Sequence, residues 1–95
     1  MTKDEILKKI HENKAELKRL GVKRLALFGS HARGQATSKS DLDFLVEFDK
    51  KTFDAYFDLK EFLEKIFQRK IDLVLPDAIK PRLRANILSE LVDAA

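Results

Sequence analysis

Asp41 and Asp43 stand two residues apart, and they are the first side chains here whose types and spacing could do chemistry. On an extended strand, residues i and i+2 point to one face. Two carboxylates side by side repel unless a cation or a proton lies between them. Hard divalent ions such as Mg²⁺ take oxygen ligands and bind through a few carboxylates plus substrate phosphates. A D-x-D pair also closes many plain, solvated strand ends, so the pair alone leaves both readings open. A third acid, Asp72, lies in the run Ile71-Asp72-Leu73-Val74-Leu75. An acid in so apolar a run is costly to bury unless it is paired or metal-bound. The alternative is an edge strand on which Asp72 faces water. If its strand lies beside that of Asp43, three carboxylates could hold two divalent ions about 4 Å apart, as in-line phosphoryl transfer requires.

The phosphate side of such a site is supplied by Gly29-Ser30-His31-Ala32-Arg33-Gly34. A glycine at the end of a strand lets the backbone approach a ligand closely. N–H groups at a following helical turn form an anion site, and the Ser30 hydroxyl adds a donor. Arg33 could contact phosphate, or fix the loop by pairing with an acid. Ser30 as an acyl-transfer nucleophile lacks support, because no G-x-S-x-G surrounds it. His31 reads as a loop side chain rather than a ligand. His11 reads as an exposed residue of a helix.

The elements that must position these residues follow from periodicity. Thr2 and Glu5 form a T-x-x-E capping box. Ile6, Leu7, Ile10, Leu17 and Leu20 then recur at helical spacing up to Gly21, a helix-ending residue. Val22–Phe28 is a strand, residues 30–40 a loop with one helical turn, and Leu42–Phe48 a second strand. Leu42, Phe44, Val46 and Phe48 share one of its faces; Asp41, Asp43, Leu45 and Glu47 share the other. Thr52 caps a helix over 53–69 whose apolar stripe is wider than one sheet face requires, which implies deep burial. A patch kept for a partner is the alternative. Ile71–Leu75 is a third strand, and Pro81 opens a last helix to about Val92. The expected fold is α/β: a mixed three-stranded sheet with about four helices, in the order α-β-α-β-α-β-α. The helical link between the second and third strands favours a parallel crossover; the first two could be antiparallel.

Length and composition set bounds. Ninety-five residues suit a single domain over 1–95. There is no cysteine, so disulfides and thiolate metal sites are excluded. No apolar run approaches the ~20 residues of a membrane span. The N-terminus lacks a signal-peptide apolar region. A cytoplasmic protein without membrane association is expected. The net charge is +3. Residues 1–24 carry eight basic and four acidic groups, residues 41–68 four and eight, and residues 69–84 five and two. So small an excess suits solvated helix faces better than nucleic acid.

Taken together, G-S-x-x-R-G, a short spacer, S-D-x-D from Ser40 to Asp43, and the later Asp72 resemble the nucleotidyltransferase superfamily that includes DNA polymerase β. The length and layout resemble its minimal nucleotidyltransferases, many of them antitoxins encoded beside a HEPN-domain ribonuclease toxin. The resemblance implies the nucleotidyltransferase fold and these roles. Asp41 and Asp43 would hold two Mg²⁺ ions, and Asp72 would complete the site near the attacking hydroxyl. Gly29 and Ser30 would bind the β- and γ-phosphates of ATP, with Arg33 and Ser40 as further nucleotide-binding candidates. AMP would pass to a hydroxyl, a tyrosine of the HEPN partner, and pyrophosphate would leave. About twenty residues follow Leu75, too few for the acceptor-gripping domain of larger relatives. A docking macromolecule is therefore the expected acceptor, with the 53–67 helix face and Arg82 and Arg84 as candidate surfaces. A non-catalytic antitoxin that acts by binding is the second reading, and a nucleic-acid-directed transferase the third. Homo- or hetero-oligomers, base selectivity and acceptor identity stay open.

Overall fold

The computed structural model describes residues 1–37 and 39–95. Ser38, in the expected 30–40 loop, lies outside the described residues. In chain order the elements are α1 (Lys3–Glu12), α2 (Lys14–Arg19), β1 (Val22–Phe28), β2 (Leu42–Phe48), α3 (Phe53–Phe67), β3 (Ile71–Val74), α4 (Pro81–Glu90) and β4 (Val92–Asp93). A single 3-10 turn, Pro76–Ala78, joins β3 to α4.

The capping box forms as expected. The Thr2 N–H donates to Glu5 Oε1 at 2.9 Å, and the Glu5 N–H to Thr2 Oγ1 at 3.2 Å. The one helix expected before Gly21 is two. Asn13, at φ −107° and ψ 17°, leaves helical geometry, and its side-chain amide donates to the Lys9 carbonyl at 2.8 Å. That bond takes the place of a backbone partner, which is how Asn competes with a helix. Thr52 caps α3 through the Ala55 N–H at 3.0 Å. α3 ends at Phe67, two residues before the expected Arg69, because Gln68 adopts the left-handed conformation (φ 51°).

The sheet has four strands in the order β3-β2-β1-β4, where three were expected. β1 and β2 are antiparallel, and β2 and β3 parallel. The added strand comes from the C-terminus. α4 stops at Glu90 rather than Val92, and Val92–Asp93 pairs antiparallel with Leu27 and Ala26 of β1. Two residues are too short for alternation to announce a strand. The loop between β1 and β2 contains the one helical turn expected of it, with Arg33 N–H donating to the Gly29 carbonyl at 3.1 Å.

Alternation places the core. Leu25, Leu27, Leu42, Phe44, Val46, Ile71 and Leu73 form one sheet face, buried under Ile6, Ile10, Leu17, Leu59, Leu63 and Phe67 of α1–α3. The opposite face carries a smaller cluster, Phe28, Leu45 and Ile79, with Ile87 and Leu91 packed against it. α4 therefore lies on the face that Asp43 shares with Leu45. The wide stripe of α3 is not deeply buried throughout. Phe53 is 80% and Phe57 53% exposed. They sit by a cleft of about 590 Å³ shared with Tyr56, Leu73 and Leu75. The broad stripe therefore leaves an apolar patch, the alternative to deep burial. No helix among the described residues is long and apolar enough to cross a membrane.

Candidate active site

The two strands that carry acids run side by side, and their register puts Asp43 opposite Asp72. Asp43 is the second residue of β2 and half-buried. Asp72 is exposed on β3, an edge strand. The burial argument for Asp72 thus gives way to the water-facing alternative, yet its expected place beside Asp43 holds. Asp41 precedes β2 and is exposed. Burial first, then the charge of Asp72, a hydrogen bond to Asp72 and the charge of Asp41, push the Asp43 carboxyl up to about 6, against a smaller opposing pull from Arg33. This is a carboxylate cluster short of positive charge.

Gly29 closes one side of the cluster. Its φ is +78°, and a Cβ there would lie 2.2 Å from Asp43 Oδ2. β1 therefore ends with bare backbone against the carboxylate, at a residue that only glycine fits. The chain then makes the turn closed by Arg33 N–H to Gly29 O. In such a turn the N–H groups of Ser30, His31 and Ala32 have no partner within the turn. N–H groups left free in this way are donors of the kind that suit an anion.

The remaining candidates divide. Arg33 makes the acid pairing: its Nη1 lies 2.9 Å from Glu90 Oε1, and its Nε donates to Gln35 Oε1 at 3.1 Å. Ser40 Oγ accepts from the Thr37 N–H at 3.0 Å, so its hydroxyl closes the turn ahead of the acids. His31 is a loop residue, as expected, but only 2% exposed. Its Nε2 lies 3.1 Å from Arg69 Nη1. A guanidinium only donates, so Nε2 accepts and the neutral ring carries its proton on Nδ1, which has no hydrogen-bond partner among the described residues. Burial, then the Arg69 charge, lowers the His31 pKa. His11 is exposed, as expected.

Arg69 was not singled out by the sequence pattern, and it is the loop's anchor. The same Nη1 also donates to the Ser40 carbonyl at 3.3 Å. One guanidinium thus ties both ends of the loop between Gly29 and Asp41 to the turn between α3 and β3. Arg69→Met should destabilise the fold by about 1–3 kcal/mol, because the buried His31 acceptor loses its donor. Urea denaturation checks this; a change below about 0.5 kcal/mol would remove the anchoring role. Glu90, at the end of α4, was also missed. No local signal marks either residue, since each acts at long sequence separation.

Among the described residues, no three acidic or histidine side chains converge closely enough to form a ready metal cluster. The donor set nonetheless fits a hard divalent ion. Asp43 and Asp72 already adjoin, the Arg33 charge offsets only part of their repulsion, and Asp41 stands exposed two residues before Asp43.

The family model described as a nucleotidyltransferase domain matches residues 6–94. The chain belongs to that family and is a nucleotidyltransferase. It is 41% identical over 96 residues to a Methanocaldococcus jannaschii protein provisionally named a protein adenylyltransferase, with 96% of each chain covered. It is 34% identical over 94 residues to the protein adenylyltransferase MntA of Thermococcus cleftensis, covering 97% of this chain and 95% of that one. A solved structure provisionally described as a minimal nucleotidyltransferase superposes with a TM-score of 0.82 at 33% identity, covering 97% and 95% of the two chains. A toxin–antitoxin crystal structure with AMP-PNP shares the fold, at a TM-score of 0.68 and 20% identity, over 100% of this chain and 73% of that one. The expected α/β nucleotidyltransferase fold is thus present, with one strand more than expected.

Proposed function

We propose that residues 1–95 form one minimal nucleotidyltransferase domain that moves AMP from ATP, with Mg²⁺, to a tyrosine hydroxyl of a HEPN-type toxin and so acts as its antitoxin. The observation that carries this reading is Gly29 pressed against Asp43, with Asp72 in register beside it. It combines a phosphate turn and a carboxylate pair within one small volume. Relatives named for protein adenylylation support the acceptor class. A cytoplasmic location follows from such a partner.

Asp41, Asp43 and Asp72 would hold Mg²⁺, which neutralises phosphate charge and orients the reacting oxygens. Ser30 and the turn N–H groups bind the outer phosphates. Asp72, exposed at the sheet edge, takes the proton of the incoming hydroxyl. That oxygen then bonds to the α-phosphorus, the bond to the bridging oxygen breaks, and pyrophosphate leaves. The exposed Phe53 and Phe57 by their cleft, and Arg82 and Arg84 on α4, are the surfaces that suit a docking protein.

The test incubates α-labelled ATP and Mg²⁺ with this chain and the protein encoded beside it. Label should appear on the neighbour and disappear with Asp41→Asn or Asp43→Asn. No transfer from any nucleotide would sink the catalytic reading. Neutralisation that survives Asp43→Asn would instead select a binding-only antitoxin, which the apolar patch also suits.

A further inference from the structure

The end of α4 sends one side chain back into the phosphate turn. Glu90 Oε2 accepts the Gly29 N–H at 3.4 Å, and its Oε1 pairs with Arg33 Nη1 at 2.9 Å. The Glu90 side chain is 26% exposed, so the contact is partly shielded from water. A backbone N–H at a positive-φ glycine and a guanidinium are donors suited to phosphate oxygens. Here one carboxylate engages both at once.

We propose that Glu90 is an internal stand-in for phosphate: nucleotide enters by displacing it from Gly29 and Arg33, and Glu90 thereby sets nucleotide affinity. This rests on the nucleotide site described above. Phosphates carry more charge than one carboxylate and make stronger charge-assisted bonds to the same donors. Glu90 cannot keep both partners once they turn to phosphate.

The surroundings make that displacement easy. α4 has no fully buried residue, and Leu83 and Leu88 on it are 43% and 47% exposed. Besides Glu90, α4 itself is held by partly buried Ile87 and by Arg84 to the Pro76 carbonyl at 3.3 Å. Beyond it Leu91, the β4 pairing, the Ala94 and Ala95 backbone bonds to Leu25 and the Arg24–Asp93 ion pair at 2.9 Å keep the C-terminus on β1, so any opening is confined to the helix. Elements with so little buried apolar surface open at low cost. Nucleotide binding therefore loosens the C-terminal helix, the same helix that offers Arg82 and Arg84 to a partner. The opposite role, a strut that holds the turn ready for nucleotide, makes predictions of opposite sign.

The test measures calorimetric binding of a non-hydrolysable ATP analogue with Mg²⁺ to the whole chain, wild type and Glu90→Gln. Glu90→Gln should lower the Kd about threefold to tenfold, the release of a part-exposed ion pair. Hydrogen exchange on the wild type is the second readout. The analogue should speed exchange at residues 83–90 while slowing it at residues 29–34. If wild type binds but Glu90→Gln binds no tighter, and residues 83–90 are unchanged or protected, the stand-in role is overturned and the nucleotide site stands. If neither protein binds the analogue, both fall. Should Glu90→Gln fail to fold, the wild-type exchange pattern decides by itself.

Discussion

Gly29→Ala is expected to cut nucleotidyl transfer by at least about 100-fold while costing the fold only about 1–2 kcal/mol. Two effects act at this residue. The φ of +78° is one that an L side chain adopts only with strain. The new methyl would also lie 2.2 Å from Asp43 Oδ2 and 3.2 Å from Asp43 Cβ. The nearest atom ends a short side chain, so the carboxylate can rotate aside and the fold survives. The site does not survive, because Asp43 leaves both the phosphate turn and Asp72. Gly21→Ala separates the two effects. Gly21 has φ +86° with nothing within 4 Å of a Cβ. It should lose a similar amount of stability and keep transfer. Urea denaturation and labelled-AMP transfer on both variants check this. Equal activity in the two would show that the close approach to Asp43 is immaterial.

Asp43→Asn is expected to abolish transfer and, without Mg²⁺, to make the protein more stable at pH 7.5. Folding raises the Asp43 carboxyl from 3.8 to about 6, so the native state binds the proton more tightly than the unfolded chain does. That contribution is fully present below about pH 4 and is lost as pH rises through about 6. Two units correspond to a ceiling of about 3 kcal/mol. Partial solvent screening reduces this to about 1–2 kcal/mol. The stability difference between Asp43→Asn and wild type should therefore be near zero at pH 4 and grow to that size by pH 7.5. Mg²⁺ should raise the wild-type Tm at pH 7.5 and leave Asp43→Asn nearly unmoved, because binding to the native state alone stabilises it. Denaturation curves at both pH values, with and without the ion, decide. A difference that is constant with pH would remove the uncompensated-carboxylate picture.

Much of this protein was legible locally. The capping box at Thr2, the Thr52 cap and Pro81 at the first turn of α4 are short-range hydrogen-bond and dihedral effects, and each stands where its residues predict. Period-two alternation in Leu42–Phe48 gave both faces of β2 correctly, because a strand's side chains must alternate. The errors also share a cause. Asn13 breaks the first helix although the apolar spacing runs on past it. Phe53 and Phe57 are exposed although the stripe is apolar, since periodicity says which side is apolar and not whether anything covers it. Val92–Asp93 is a strand because β1 offered a free edge, not through any preference of two residues.

Residue types and spacing named the candidate residues and where they fall in the chain: Gly29 after a strand, Asp43 on the next, Asp72 on the one beyond a helix. Residue type and spacing were enough to single them out, since glycine's backbone freedom and the repulsion of paired carboxylates belong to the residues themselves. Packing in three dimensions was needed to put Asp72 at an exposed edge, to let Arg69 hold both ends of the loop, and to bring Glu90 onto the Gly29 N–H and Arg33. Those contacts join residues 29 to 61 positions apart. Their geometry is set by how α4 and the α3–β3 turn pack on the sheet, and no local pattern encodes that.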